Sequence, residues 1–333
     1  MRKLRGQGVD VLVTSRVKEC AVDLLDALGV EHVCLSSQHH GGLSSMASEL
    51  LVRNRALVGI VRSFRPSVLT GVGGIFAAQT GALTRTPSVI FYDTESARLQ
   101  NALTYPFATR VVVPDCYQGW TPRNRTVRYA GCHELSYLHP DEFSPDREVA
   151  VRNGLSEQGD TFLLRLVSWK ANHDLGEQGW GEGDLSRVIE HLKTKGKVLI
   201  SSEVVPSERY RPYLFKGRPN ELHHLMAHCR AVIGESATMA SESAILGVPS
   251  LYVAARSQGR SYIDWLESRS GLSRHITDRS ADAVISQVDE VTARTPEAWR
   301  AQRDELVGNC VSVSDLIVHQ VLDMAVSRRA NGS

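Results

Sequence analysis

The sequence predicts an α/β protein made of two Rossmann-like domains whose parallel sheets face a cleft. Three observations predict it. Short apolar runs alternate with helical patterns along the whole chain, the mark of βαβ units with helices on both faces of a parallel sheet. The 333 residues exceed one domain of typical size. The alternation also breaks once, over residues 128–148, and then starts again. The expected division is residues 1–148 and 149–333, with the last helix packing back on the first domain.

Each element has its own signal. The opening MRKLRGQG reads as the end of a helix: basic residues, then Gly6 and Gly8 as stops. VDVLVTSR is a buried strand, KECAVDLLDALGV a helix closed by Gly29, and HVCLSS the next strand. A helical pattern covers residues 43–62, and PSVLTGVGG runs from a strand into a glycine turn. A short helix over 76–84, the strand SVIFYDTE, a polar helix over 97–104 and the strand RVVVPD complete the first set. Such a domain normally opens with a strand, whereas this one opens in a helix, so its first strand is expected to be missing. Residues 128–148, rich in Pro, Asp and aromatics, read as a crossover linker. The second set is TFLLRLV, a loop from Ser168, a helix over 184–195, KVLISS, the short strand PYLF, the helix NELHHLMAHC, AVIGE, and then GESATMASESAILGVPSLYV. The remainder reads as helical, with a last helix over 314–328.

Composition excludes several function classes. The hydrophobic share of 42% and charged share of 23% are those of an ordinary globular chain. A formal net charge of +1 supplies no field for nucleic acid or an anionic membrane. The six cysteines form no CxxC pair, which favours reduced thiols over a disulfide framework or a zinc site. No apolar run nears the roughly 20 residues of a membrane span, and no signal peptide opens the chain. A cytoplasmic protein is expected, with peripheral membrane contact left open and the oligomeric state undetermined.

The segment over 234–253 carries the chemistry. It reads as strand, turn at Ser236, Ala237 and Thr238, helix from Met239, stop at Gly247 and Pro249, then strand. Ser236 or Thr238 can cap the helix. The small side chains from Gly234 onward let a ligand approach the backbone, and a helix N-terminus favours an anion such as a diphosphate. In open α/β sheets ligands bind at that place, beyond the carboxyl end of a strand. Glu242 lies one turn on, where a carboxylate can accept from a ribose diol; Glu235 is its neighbour at the strand end. The same pattern would also serve tight helix–sheet packing, with Glu242 complementing the helix dipole.

Further candidates line the same cleft. Asp93 and Glu95 end a strand and suit a general base for an acceptor hydroxyl, or a helix cap. In the loop after the second domain's first strand, His173 suits acid–base work, Lys170 a phosphate, and Ser168 and Trp169 a sugar or base. Arg165, inside that strand, requires a partner. His133 and Glu134 reach the cleft from the linker side or form a polar hinge. His224 and His228 have the i, i+4 spacing of metal ligands but no third ligand in view, so no metal is expected. Gly71, Gly73 and Gly74 lack dinucleotide spacing and read as cleft lining.

Residues 91–114, 131–146, 163–179 and 234–253 together resemble an uncharacterised group, domain-of-unknown-function family 354, over nearly the full length. That family is similar in fold to the GT-B glycosyltransferases and to the non-hydrolysing UDP-N-acetylglucosamine 2-epimerases. Ser236, Ala237, Thr238, Glu242, Gly247 and Pro249 are similar to the nucleotide-sugar motif of GT-B transferases such as the one that makes lipid II. The resemblance implies a GT-B-like fold, a diphosphate on the turn, ribose hydroxyls on Glu242, and a nucleotide sugar as substrate with no cofactor. Members of the family usually begin with a strand and a loop containing proline and histidine, which this chain lacks. The epimerases carry a histidine–arginine motif where this chain has Ser168 and Trp169, and a glutamate where it has Arg98 and Leu99, so a close copy of that chemistry is not expected. The expected activity is nucleotide-sugar-dependent glycosyl transfer to an unknown acceptor. The alternatives are an epimerase-like or hydrolytic enzyme on UDP-sugars, and a non-catalytic nucleotide-sugar-binding protein.

Overall fold

The computed structural model describes residues 1–16, 21–35, 43–167, 180–203, 206–255 and 261–331. The first set of elements is α1 (Arg2–Gly6), β1 (Val13–Ser15), α2 (Ala21–Ala27), β2 (His32–Cys34), α3 (Leu43–Phe64), β3 (Leu69–Val72), α4 (Ile75–Thr84), β4 (Ser88–Phe91), α5 (Arg98–Thr104), β5 (Arg110–Pro114) and β6 (Thr126–Tyr129). Two short helices follow, α6 (Leu135–Leu138) and α7 (Arg147–Arg152). The second set is β7 (Asp160–Leu166), α8 (Glu182–Lys195), β8 (Gly196–Ser202), α9 (Leu222–Met226), β9 (Ala231–Gly234), α10 (Ala237–Ile245), β10 (Ser250–Val253), α11 (Ser261–Ser270) and β11 (Ser273–Ile276). Three helices close the chain: α12 (Ala281–Ala293), α13 (Pro296–Gly308) and α14 (Val313–Asn331).

All paired strands are parallel. The second domain holds one five-stranded sheet in the order β11-β10-β9-β7-β8, so β9 is central. The first domain's strands fall into two pieces, β1-β2 and β3-β4-β5-β6. Parallel strands covered on both faces read as continuous apolar runs, and β4 and β5 do so. Val89, Phe91 and Val112 turn into the large core shared with the second domain. Ile90, Val111 and Val113 turn the other way, onto Ala78 of α4 and Tyr105.

Local chemistry sets the element ends. Asp146 caps α7 through the N–H groups of Glu148 and Val149 (2.8 and 3.1 Å). Thr295 caps α13, accepting from Ala298 N at 3.2 Å, with Pro296 in the first turn where its missing N–H costs nothing. Trp299 is fully buried, and its indole N–H donates to Val291 O at 3.0 Å. α14 lies on the first domain: Arg110 of β5 donates to Gln320 and Asp323 (both 2.8 Å). Leu4 of α1 packs on its Val318 and Val321.

The structure corrects three sequence expectations. The linker over 128–148 is not irregular throughout, because β6 forms the edge of the first sheet and runs into it. PYLF forms only an isolated bridge, Ile200 to Leu214, beside a 3-10 turn (Glu208–Tyr213). The chain after β10 is not all helical, since β11 adds an edge strand beside β10. One stretch, Pro296–Ser327, passes a length-and-composition test for a membrane span. In the fold it is two helices, α13 and α14, separated by a turn.

Candidate functional site

The carboxyl ends of both sheets meet at one junction. β4 delivers Asp93, Thr94 and Glu95, held in place by a buried polar network. Asn101 Nδ2 donates to Thr94 O (3.3 Å) and to the Tyr117 hydroxyl (3.1 Å), which lies 3.0 Å from that of Tyr105. Thr94 Oγ1 donates to Asp93 at 2.9 Å. Glu95 accepts backbone N–H groups from both sides of the junction, Gln118 at 3.1 Å and Ser261 of α11 at 3.4 Å. Its carboxylate therefore bridges the two sides of the junction.

β6 delivers Gly131, Cys132, His133 and Glu134 to the same rim. Glu134 is 4% exposed; Ser241 of α10 donates to its Oε1, and its Oε2 has no hydrogen-bond partner. Burial, reinforced by the Asp93 charge, pushes the Glu134 carboxyl up to about 7. Burial lowers the basicity of the His133 ring, against the opposing pull of Asp93. The half-buried Asp93 and His133 thus neighbour the buried Glu134, which faces α10. Raised and lowered proton affinities of this kind are what acid–base chemistry uses.

The second domain's part is built by β9 and α10. Gly234 has φ +154°, and a Cβ there would lie 2.1 Å from Arg165 O, so the backbones of β9 and β7 meet where only glycine fits. Glu235 is 4% exposed, and its carboxylate accepts from Val167 N (3.2 Å) and Trp180 N (2.6 Å). It fastens both ends of the loop that holds Ser168, Trp169 and His173. Those three lie outside the described residues. Arg165 has the partners its position requires: Ser201 at 2.8 Å and the Glu203 carboxylate.

Ser236 is the N-cap of α10, accepting from Met239 N at 3.3 Å. The next two N–H groups, of Ala237 and Thr238, have no partner among the described residues, and Thr238 is exposed. This is a free helix N-terminus at the carboxyl end of the central strand. Glu242 follows one turn later, 8% exposed. Its Oε1 accepts from the Tyr137 hydroxyl of α6 at 2.8 Å and lies 3.1 Å from His223 Nε2 of α9. The carboxylate proposed for a ribose is therefore already bridged by both halves of the molecule.

The structure places Gly234 at the end of β9, Ser236 at the cap, and Ala237, Thr238, Met239 and Glu242 in α10. It sets Asp93 and Glu95 across the junction from them. The contributions of Ser241, Tyr137 and His223 were not legible in sequence. His224, expected on a solvated face, is half-buried and accepts from Asp146 N at 2.9 Å, so it supports the α7 cap. No group of three metal-ligating side chains occurs among the described residues.

Solved structures share this architecture. A UDP-N-acetylglucosamine 2-epimerase of Neisseria meningitidis, solved with UDP-N-acetylglucosamine, matches with TM-score 0.65 at 10% identity, covering 94% of this chain and 91% of that one. The spinosyn forosaminyltransferase matches with TM-score 0.64 at 13% identity, over 97% and 93%. At such identities the likeness shows the fold, which is that of the GT-B transferases and epimerases. In sequence, an uncharacterized protein of Methanocaldococcus jannaschii is 20% identical over 272 residues, 75% of each chain. The family model of a protein of unknown function, DUF354, matches residues 1–290, and the chain belongs to that family.

Proposed function

We propose that this protein is a nucleotide-sugar-dependent glycosyltransferase. The observation that carries it is the free N-terminus of α10, facing the other domain from the centre of the second sheet. The donor diphosphate would lie on the Ala237 and Thr238 N–H groups, with the helix dipole offsetting its charge. Glu242 would take the ribose hydroxyls, exchanging Tyr137 for them. Asp93 would deprotonate the acceptor hydroxyl, with Glu134 holding or returning the proton. The departing diphosphate would be stabilised by backbone donors and basic groups, without a dedicated metal. A cytoplasmic site of action fits a nucleotide-sugar substrate.

Calorimetric titration with UDP, repeated on Glu242→Ala, tests the donor site. UDP is expected to bind the wild-type chain and to bind the variant at least several-fold more weakly. If no nucleoside diphosphate or UDP-sugar binds the wild type, the donor site is wrong. One observation favours a second activity on the same site. The half-buried Asp93 and His133 with the buried Glu134 could move a proton on and off a sugar carbon, as an epimerase requires. Release of free UDP with an acceptor present marks a transferase; an isomerised UDP-sugar without release marks an epimerase.

A further inference from the structure

A cavity of about 520 Å³ lies where the chain crosses between the domains, a size within the range of small-molecule sites. The first crossing leaves β6 through Ala130 and Gly131, and the second joins α13 to α14 through Asn309 and Cys310. The two crossings are bonded to each other, since Val311 N donates to Ala130 O at 3.0 Å. Gly131 has φ +128°, and a Cβ there would lie 3.3 Å from Cys310 Cβ, so the crossings meet closely at a glycine.

The loop after β5 supplies one wall, Asp115 and Cys116, from the first domain. Across from it stand α11 and α13. Trp265 and Arg269 are four residues apart on α11, and Gln302 and Glu305 three apart on α13, so each pair shares one helix face. Glu95 bridges the two walls, because its donors are Gln118 N, just beyond Asp115, and Ser261 N, one turn before Trp265.

The polar groups round this cavity lack partners. Among the described residues, the side chains of Asp115, Trp265, Arg269, Gln302 and Glu305 make no hydrogen bond or ion pair. Trp265 and Gln302 are half-buried, and an indole N–H withdrawn from water ordinarily has an acceptor. The charges are of both signs: two carboxylates, on opposite walls, and one guanidinium. A polyanion would be repelled by both carboxylates and a polyamine by Arg269. A neutral sugar would leave all three charges without a counter-charge. A compact ligand with one ammonium and one carboxylate complements them all.

We propose that this cavity binds a small zwitterion, an α-amino acid or dipeptide, and that the bound ligand braces the two crossings. Its carboxylate pairs with the planar fork of Arg269. Its ammonium pairs with Asp115 and Glu305 and faces the Trp265 ring. Because the ligand touches both walls, it favours the domain arrangement in which both reach it. The cavity shares no lining residue with the donor site on α10, so the inference stands apart from that reading.

The test is a thermal-shift screen of the full chain with each standard L-amino acid and glycylglycine at millimolar concentration, followed by calorimetry on those that bind. At least one is expected to raise the midpoint. Arg269→Gln and Asp115→Asn change exposed side chains and keep the fold; each is expected to weaken that ligand about tenfold by removing one charge-assisted hydrogen bond. With the ligand saturating, the Val311 amide is expected to exchange about tenfold more slowly. No shift with any probe overturns the proposal, as does equal affinity in the wild type and both variants. Equal binding of the decarboxylated analogue overturns the zwitterion, and so does a shift with glucose but with no amino acid. Binding that leaves Val311 exchange unchanged overturns the bracing. None of these outcomes depends on whether the chain binds a nucleotide.

Discussion

Replacing Tyr137 with phenylalanine probes the junction most directly. Its hydroxyl donates to Glu242 Oε1 at 2.8 Å, and the same oxygen lies 3.1 Å from His223 Nε2. Burial, then the Glu242 charge, pushes the Tyr137 hydroxyl far above its ordinary range, so it remains a donor at any working pH. A hydrogen bond to a charged acceptor contributes about 1.5–3 kcal/mol. Phenylalanine keeps the ring, whose centroid lies 5.8 Å from that of His223, and removes only the donor. If Glu242 takes the ribose diol, the diol and Tyr137 compete for one carboxylate. Deleting the hydroxyl should then tighten UDP binding, and the lower figure of about 1.5 kcal/mol corresponds to roughly tenfold. The assay is titration calorimetry of UDP against wild type, Tyr137→Phe and Glu242→Gln at one pH and salt concentration. Unchanged or weaker binding by Tyr137→Phe would refute the competition and, with it, the ribose role of Glu242.

Other substitutions follow from the same geometry. Gly234→Ala would drive a Cβ to 2.1 Å from Arg165 O at a backbone angle that L-residues avoid, and denaturant titration should show a loss of about 3 kcal/mol or more, or no folded protein. The buried Glu134 binds its proton more tightly folded than unfolded, so wild-type stability should fall as pH rises from about 4.5 to about 7. Glu134→Gln, which cannot ionise, should flatten that slope and gain on wild type above pH 7; parallel curves for the two proteins would show that Glu134 does not cause it. Trp299→Ala should cost about 3–5 kcal/mol in equilibrium unfolding, since it removes a fully buried ring and orphans Val291 O. A loss under 1 kcal/mol would mean that the site collapses around the cavity.

Much of the fold was legible because its signals are local. β4, β5, β9 and β10 are four- or five-residue apolar runs between turn residues, and any chain that buries both faces of a parallel sheet needs them. The Ser236 cap of α10 is short-range backbone chemistry. β6 and β11 escaped notice for the opposite reason. Both are edge strands, and TVRY and SRHI mix arginine and histidine with apolar residues, so neither shows the period of a buried strand. They are strands because β5 and β10 offer them a hydrogen-bonding edge.

The candidate site divides in the same way. Sequence alone determined the free helix N-terminus after Gly234, with a carboxylate one turn on, because a cap, a glycine and a stop are written within consecutive residues. It also placed Asp93 and Glu95 at the carboxyl end of a strand, although β4 itself stops at Phe91 and they lie in the loop beyond it. Tertiary structure decided what those groups do. Glu235 fastens a loop, Glu95 spans the junction, Glu242 is bridged by Tyr137 and His223, and Glu134 is buried beside Asp93. The physical reason is that a carboxylate's proton affinity and partners depend on which groups nearby share its burial, and those partners lie from 19 to 166 residues away along the chain.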